Sequence, residues 1–172
     1  SVYTPASSIK GLLVDPLRME ELPDLGVKQA AYNIPLSRIT GHSPDPNHPT
    51  IYYNYNGRTY AIDGSAIYGY DVVFGNLSNK GIRISAIVLN DMNYEYPELV
   101  HPRARSGSTA PYVMFNGAEE AGIDAMAAMA TFLAERYSGS GHGTVSNWVI
   151  ANEINARKQW NYMEYTDVYT YT

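Results

Sequence analysis

Apolar and polar positions divide the chain into alternating strand-like and helix-like stretches. Residues 27–34 (Val27-Lys28-Gln29-Ala30-Ala31-Tyr32-Asn33-Ile34) read as a first strand closed by Pro35. Residues 82–89 are mostly apolar and β-branched, the pattern of a strand covered on both faces, and residues 111–116 and 145–151 give a third and a fourth strand. Between them, residues 65–79 carry Ile67, Tyr68, Val72, Phe74 and Leu77 at imperfect helical spacing, with Asn79-Lys80-Gly81 as the stop. The clearest helix has Ile123, Met126, Ala130, Leu133, Ala134 and Tyr137 on one stripe, where the Met side chains are most simply core packing. Shorter helical patterns occur at Leu17, Met19, Leu22 and Leu25, opened by Asp15-Pro16, and at Tyr165, Val168, Tyr169 and Thr172 within residues 162–172. Strands alternating with helices predict βαβ units and a parallel sheet.

The polar interruptions add two features. Residues 41–50 consist almost wholly of turn formers and predict a surface loop. Residues 51–54 and 58–62 flank Tyr55-Asn56-Gly57, and Asn-Gly between two β-prone runs predicts a β-hairpin, inserted after the first strand. Residues 90–110 are polar and rich in Pro, Ser and Gly, a long loop of the kind that often carries function. A parallel sheet that stopped at four strands would have an edge needing cover.

Composition narrows the function classes. A chain of 172 residues fits one domain. The absence of cysteine excludes disulfides, Cys-ligated metals and a thiol nucleophile. With 12 Lys and Arg against 17 Asp and Glu, a net charge of -5 and no basic run, a dedicated nucleic-acid binder is not expected. No apolar stretch approaches the roughly 20 residues that span a bilayer, so no membrane partner is expected. His42, His48, His101 and His142 stand in four separate loops without metal-ligand spacing, and neither metal nor cofactor is expected. Residues 139–143 are Gly-rich but precede a strand, the reverse of a phosphate cradle, and no Gly-x-Ser-x-Gly elbow occurs. Sixteen Tyr against three Phe and two Trp suit carbohydrate or peptide recognition and equally suit a structural surface.

The stretch with most chemical content is Trp148-Val149-Ile150-Ala151-Asn152-Glu153-Ile154-Asn155. It puts an Asn-Glu pair at the carboxyl end of the fourth strand, where ligands sit in barrel and open-sheet α/β folds. A desolvated carboxyl group there suits a general acid, while a Glu capping a following helix accounts for the dipeptide as well. Asn33, Asn90 and Asn116 stand at strand ends, where they could bond sugar hydroxyls and where Asn is also common in turns. Asp91 is a candidate second acid, though a solvated loop carboxylate is the simpler reading. Trp160, seven residues beyond Glu153, fits a stacking platform for a sugar ring or a core position.

The run Trp148 to Asn155 resembles the strand-four Asn-Glu motif of clan A glycoside hydrolases. Residues 25–36, 112–116 and 152–156 (Leu25-Gly26-Val27 onward, Tyr112-Val113-Met114-Phe115-Asn116 and Asn152-Glu153-Ile154-Asn155-Ala156) together resemble an uncharacterised family of bacterial glycosidase-like barrels. That resemblance implies an α/β fold of the (β/α)8 TIM-barrel type, with its first four βα units present and a hairpin inserted. It implies a retaining, two-carboxylate hydrolysis of a poly- or oligosaccharide, with Glu153 as acid/base and Asn152 on the hydroxyl beside the anomeric carbon. Asn155 and Trp160 join Asn33, Asn90 and Asn116 as substrate-binding candidates. The clan's nucleophile closes strand seven and matches no residue here. Residues 1–172 are therefore expected to be a single domain, the N-terminal part of a barrel completed by a missing segment, a second chain or self-association, and inactive alone. A polysaccharide substrate would suggest an extracellular or periplasmic home. The alternative is a non-catalytic carbohydrate-binding or half-barrel scaffold protein.

Overall fold

A computed structural model describes residues 11–105, 110–150 and 161–162. Four strands, β1 (Gly11–Leu13), β2 (Gln29–Pro35), β5 (Arg83–Leu89) and β7 (Val145–Ile150), form one parallel sheet in the order β1-β2-β5-β7. Parallel neighbours need a crossover, and the two long ones are supplied by α2 (Gly64–Asn79) and α3 (Glu120–Arg136). Asp63 starts α2 by accepting hydrogen bonds from the backbone N–H groups of Ser65 and Ala66 at 2.8 and 3.2 Å.

Alternation along the strands gives the sheet two unlike faces. Ala30 and Ile34 of β2, Ile84, Ala86 and Val88 of β5 and Val145 of β7 pack with Ile67, Phe74 and Leu77 of α2 and Ala125, Met129 and Leu133 of α3 in the main core. The other face carries Leu13, Gln29, Ala31, Asn33, Arg83, Ser85, Ile87, Asn147 and Val149, all half-exposed or exposed. Ser146 is the extra residue of a bulge, since Ile84 pairs with Val145 and Ser85 with Asn147; Asn147 then donates to the Ser85 hydroxyl at 3.2 Å.

Several of the tyrosines are interior. Tyr60, Tyr70, Tyr96 and Tyr137 are buried, and Tyr32, Tyr70, Phe74 and Tyr137 pack edge to face or tilted with ring centres 4.8 to 5.9 Å apart. Three of the buried hydroxyls have hydrogen-bond partners: Tyr70 donates to the Asn33 carbonyl at 3.2 Å and Tyr137 to Asp71 at 3.0 Å, and Tyr96 accepts from the Ala61 N–H at 2.6 Å. Asp71 also takes a forked pair of bonds from Arg136 at 2.8 and 2.6 Å, so one carboxylate ties α2 to the end of α3.

The hairpin forms as expected, with β3 (Ile51–Tyr55) antiparallel to β4 (Arg58–Ile62). It lies along α3: Tyr53 packs on Phe132 and donates to Glu135 at 3.1 Å, while Asn56 at the tip donates to Asp124 at 3.1 Å. A one-turn helix, α1 (Leu36–Ile39), leads from β2 toward it.

The structure departs from the sequence-based expectation at four places. Gly11–Leu13, too short to show a period, is the first strand of the sheet. The helical pattern after Asp15 is a 3-10 helix at Pro16–Glu21 with non-helical backbone at Arg18. Residues 111–116 contribute only β6 (Tyr112–Val113), which pairs with β8 (Asn161–Tyr162) outside the main sheet, because Asn116 turns the chain into α3. Tyr162, expected to open a terminal helix, is in β8, and the rest of that expected helix lies outside the described residues. β7 is nonetheless fourth in the sheet, β1 standing in for the expected third strand.

Candidate functional site

All four strands of the main sheet point the same way, so the segments after Leu13, Pro35 and Leu89 share one end with the last residue of β7, and α3, which returns the chain to the amino ends, begins there. Asn90 directly follows β5 and is 2% exposed. Its amide nitrogen donates to the carbonyls of Leu99 and Met114 at 3.0 and 3.2 Å, and its backbone carbonyl accepts from Val113 at 2.8 Å. Two carbonyl acceptors fix which end of the amide is nitrogen. The Asn90 Oδ1 is then buried with no hydrogen-bond partner among the described residues, an acceptor whose desolvation nothing described offsets.

Asn33, one strand over, faces away from the helices, in register with Ile87, and its side-chain amide has no partner among the described residues. Beyond these strand ends Asp91 accepts the Ser37 N–H at 2.8 Å on one oxygen and the Ser37 hydroxyl on the other, which joins the β2 and β5 ends. Asp91 is thus held rather than freely solvated. Asn116 is buried with its hydrogen-bonding capacity used within the chain: Nδ2 donates to the Glu98 carbonyl and Glu119 at 2.8 and 2.7 Å, and Oδ1 accepts from Ala118 and Glu119 at 3.1 and 3.2 Å. A ligand hydroxyl could bind Asn116 only by displacing one of these bonds.

The loop after β5 brings in groups that sequence reading missed. Buried Asn93 bonds Thr40 Oγ1 and the Tyr96 N–H, both at 2.8 Å, pinning the loop to α1. Arg105 pairs with Glu119 at 2.6 Å and Arg58 with Glu98 at 2.5 Å, and Pro97, Glu98, Arg105, Glu119 and Ala121 line an open pocket of about 440 Å³. Arg105, with help from the Asn116 amide, holds the Glu119 carboxyl below its usual range. No local motif announced these groups, because the pairs join residues 14 and 40 positions apart.

His101 accepts the Arg103 N–H on Nδ1 at 3.2 Å, and burial, followed by the charges of Arg103 and Arg105, pushes its pKa below the usual 6.5. The unfolded chain then binds a proton that the folded chain refuses. Stability is expected to be constant above pH 6.5 and to fall as pH drops from 6.5 toward the lowered folded value. Thermal melts from pH 8 to pH 5 check this: His101→Gln should flatten this part of the acid slope, and an unchanged slope would refute the assignment to His101.

Glu153, Asn152, Asn155 and Trp160 lie outside the described residues. Asn33 lies in β2 and Asn90 directly follows the neighbouring β5, whereas Asn116 belongs to the turn that starts α3. Among the described residues no group of three His, Asp or Glu side chains could hold a metal, and no helix is long and apolar enough to cross a membrane.

The arrangement defines an α/β domain built on a four-stranded parallel sheet, with loops and helix starts gathered at its carboxyl end and a small antiparallel hairpin against α3. The chain belongs to a family of unknown function, DUF5722, whose model matches residues 2–172. No curated protein and no solved structure matches it.

Proposed function

We propose that the chain is part of a (β/α)8-type glycoside hydrolase of the retaining, two-carboxylate kind acting on a poly- or oligosaccharide. In this reading Glu153 is the acid/base, Asn152 holds the hydroxyl beside the anomeric carbon, and Asn33 and Asn90 contribute polar groups at the same end of the sheet. The nucleophile is not assigned to any residue of the 172.

The observation that carries the reading is the winding of the sheet. β1, β2, β5 and β7 lie side by side in chain order, all parallel, with α2 and α3 on one face. A doubly wound sheet reverses its order at a switch point and puts helices on both faces, whereas winding in one direction is how a barrel begins. The face that no described helix covers, with Asn33, Ser85 and Asn147 among Leu13, Ile87 and Val149, suits the interior of such a barrel. In sequence the Asn152-Glu153 pair follows the last residue of β7 by two and three positions.

A second reading, a half-barrel scaffold without catalysis, draws on the exposed Leu12, Leu13, Leu17 and Leu25 around β1, apolar surface that suits an assembly contact. Turnover separates the two. The intact protein should hydrolyse some member of a panel of aryl glycosides and oligosaccharides, and NMR should find that the first-formed product keeps the anomeric configuration of its substrate. Inversion, or no hydrolysis anywhere in the panel, would overturn the proposal.

A further inference from the structure

The chain contains two Asn-Gly pairs, Asn56-Gly57 and Asn116-Gly117, and the fold treats them oppositely. Asn56 and Gly57 are the two residues of the hairpin turn, outside a ladder that closes at Tyr55 and Arg58, and both have positive φ, 46° and 79°. Gly57 stands in open space, since a Cβ there would meet nothing within 4 Å. The Asn56 side chain makes one described bond, from its amide nitrogen to Asp124 Oδ2 at 3.1 Å. Asn116 is 3% exposed and its amide makes four bonds, all of which must break before the side chain can turn toward its own backbone.

We propose that Asn56 is a site of spontaneous self-modification and that its product loosens the hairpin tip from α3. The Gly57 backbone nitrogen attacks Asn56 Cγ as its proton goes to solvent base; the new N–C bond closes a five-membered imide while the bond from Cγ to Nδ2 breaks and ammonia leaves. Water then adds to either imide carbonyl and opens the ring, giving aspartate or its β-linked isomer. The net change is one water consumed and one ammonia released, with no oxidant or cofactor. The consequence is electrostatic: a neutral amide that donated to the Asp124 carboxylate becomes a second carboxylate facing it. The staple between the hairpin tip and α3 turns into a repulsion, while Tyr53 still holds the middle of β3 through Phe132 and Glu135.

The test is peptide mapping by mass spectrometry after incubating the folded protein at 37 °C and pH 8. Conversion at Asn56 should outrun that at Asn116 by an order of magnitude or more, because the buried site must first open locally. In parallel, Asn56→Asp should lower the Tm by about 2 °C at pH 7, and adding Asp124→Asn should restore it. Equal conversion at the two sites would overturn the proposed site, and an Asn56→Asp melt that Asp124→Asn fails to restore would overturn its proposed effect.

Discussion

Glu153→Gln is expected to lower turnover of substrates with poor leaving groups by about 10²–10⁴-fold while leaving the fold unchanged, since the amide matches the carboxyl in shape but neither gives nor takes the proton. The size of the loss should depend on the substrate. When the departing group is a weakly basic phenol, the first step needs little protonation, and most of the loss shifts to the second step, where the same carboxylate activates water. Michaelis–Menten kinetics on a series of aryl glycosides of graded leaving-group pKa would display this as a steepened dependence on that pKa. An equal loss across the series, or none, would remove Glu153 from the acid/base role and with it the main support for hydrolysis. Asn152→Ala serves as a companion, because a residue that holds a hydroxyl rather than moving a proton should slow every substrate in the series alike.

Gly143→Ala is expected to destabilise the domain by about 3–5 kcal/mol and to lower Tm by about 10 °C. Two costs add. Gly143 has φ +99°, outside the range that residues with a side chain favour, and a Cβ there would lie 2.6 Å from both the carbonyl carbon and oxygen of Phe74 and 2.9 Å from the Gly75 nitrogen. Those atoms are the backbone of α2 and cannot swing aside as a side chain could. Gly141, two residues earlier, isolates the first cost, because its φ is +100° but a Cβ would meet nothing within 4 Å. Gly141→Ala should therefore show the backbone strain alone, about 1–2 kcal/mol. Calorimetry of the two variants decides it: equal losses would mean that close packing against α2 contributes nothing. The loop from Gly139 to Gly143 also precedes β7, the strand that comes before the proposed Asn152-Glu153 pair in sequence.

The elements that were legible from sequence share one property, that their signal is local. The hairpin announced itself by Asn56-Gly57, and the turn residues do adopt positive φ. The helix α3 and the strand β5 were legible as elements, but not their buried faces: Ile123 and Ala134 of the expected stripe are exposed while Ala125, Ala128, Met129, Phe132 and Leu133 face the core, and β5, expected to be covered on both faces, alternates buried and half-exposed residues. Where the signal spans few residues, reading failed. β1 has three residues and is a strand because β2 offers it a partner, and residues 111–116 looked like a core strand although only Tyr112 and Val113 pair, with β8.

The functional groups follow the same division. Sequence alone singled out Asn33, Asn90 and Asn116 on equal terms, since each is an Asn beside a strand end. Tertiary contacts separate them: Asn116 spends its amide on the start of α3, Asn90 keeps a buried acceptor without a described partner, and Asn33 faces the side of the sheet that no described helix covers. The pairing of Arg105 with Glu119, of Arg58 with Glu98 and of Asp91 with Ser37 was invisible for the same reason. The alternation of strands and helices, the hairpin and the classes of chemistry that lack their residues are written in the chain, because these depend on residue type and on neighbours a few positions away. The sheet order, the face that no described helix covers and the polar groups with spare hydrogen-bonding capacity emerge on folding, because they depend on which distant segments the burial of apolar surface brings together.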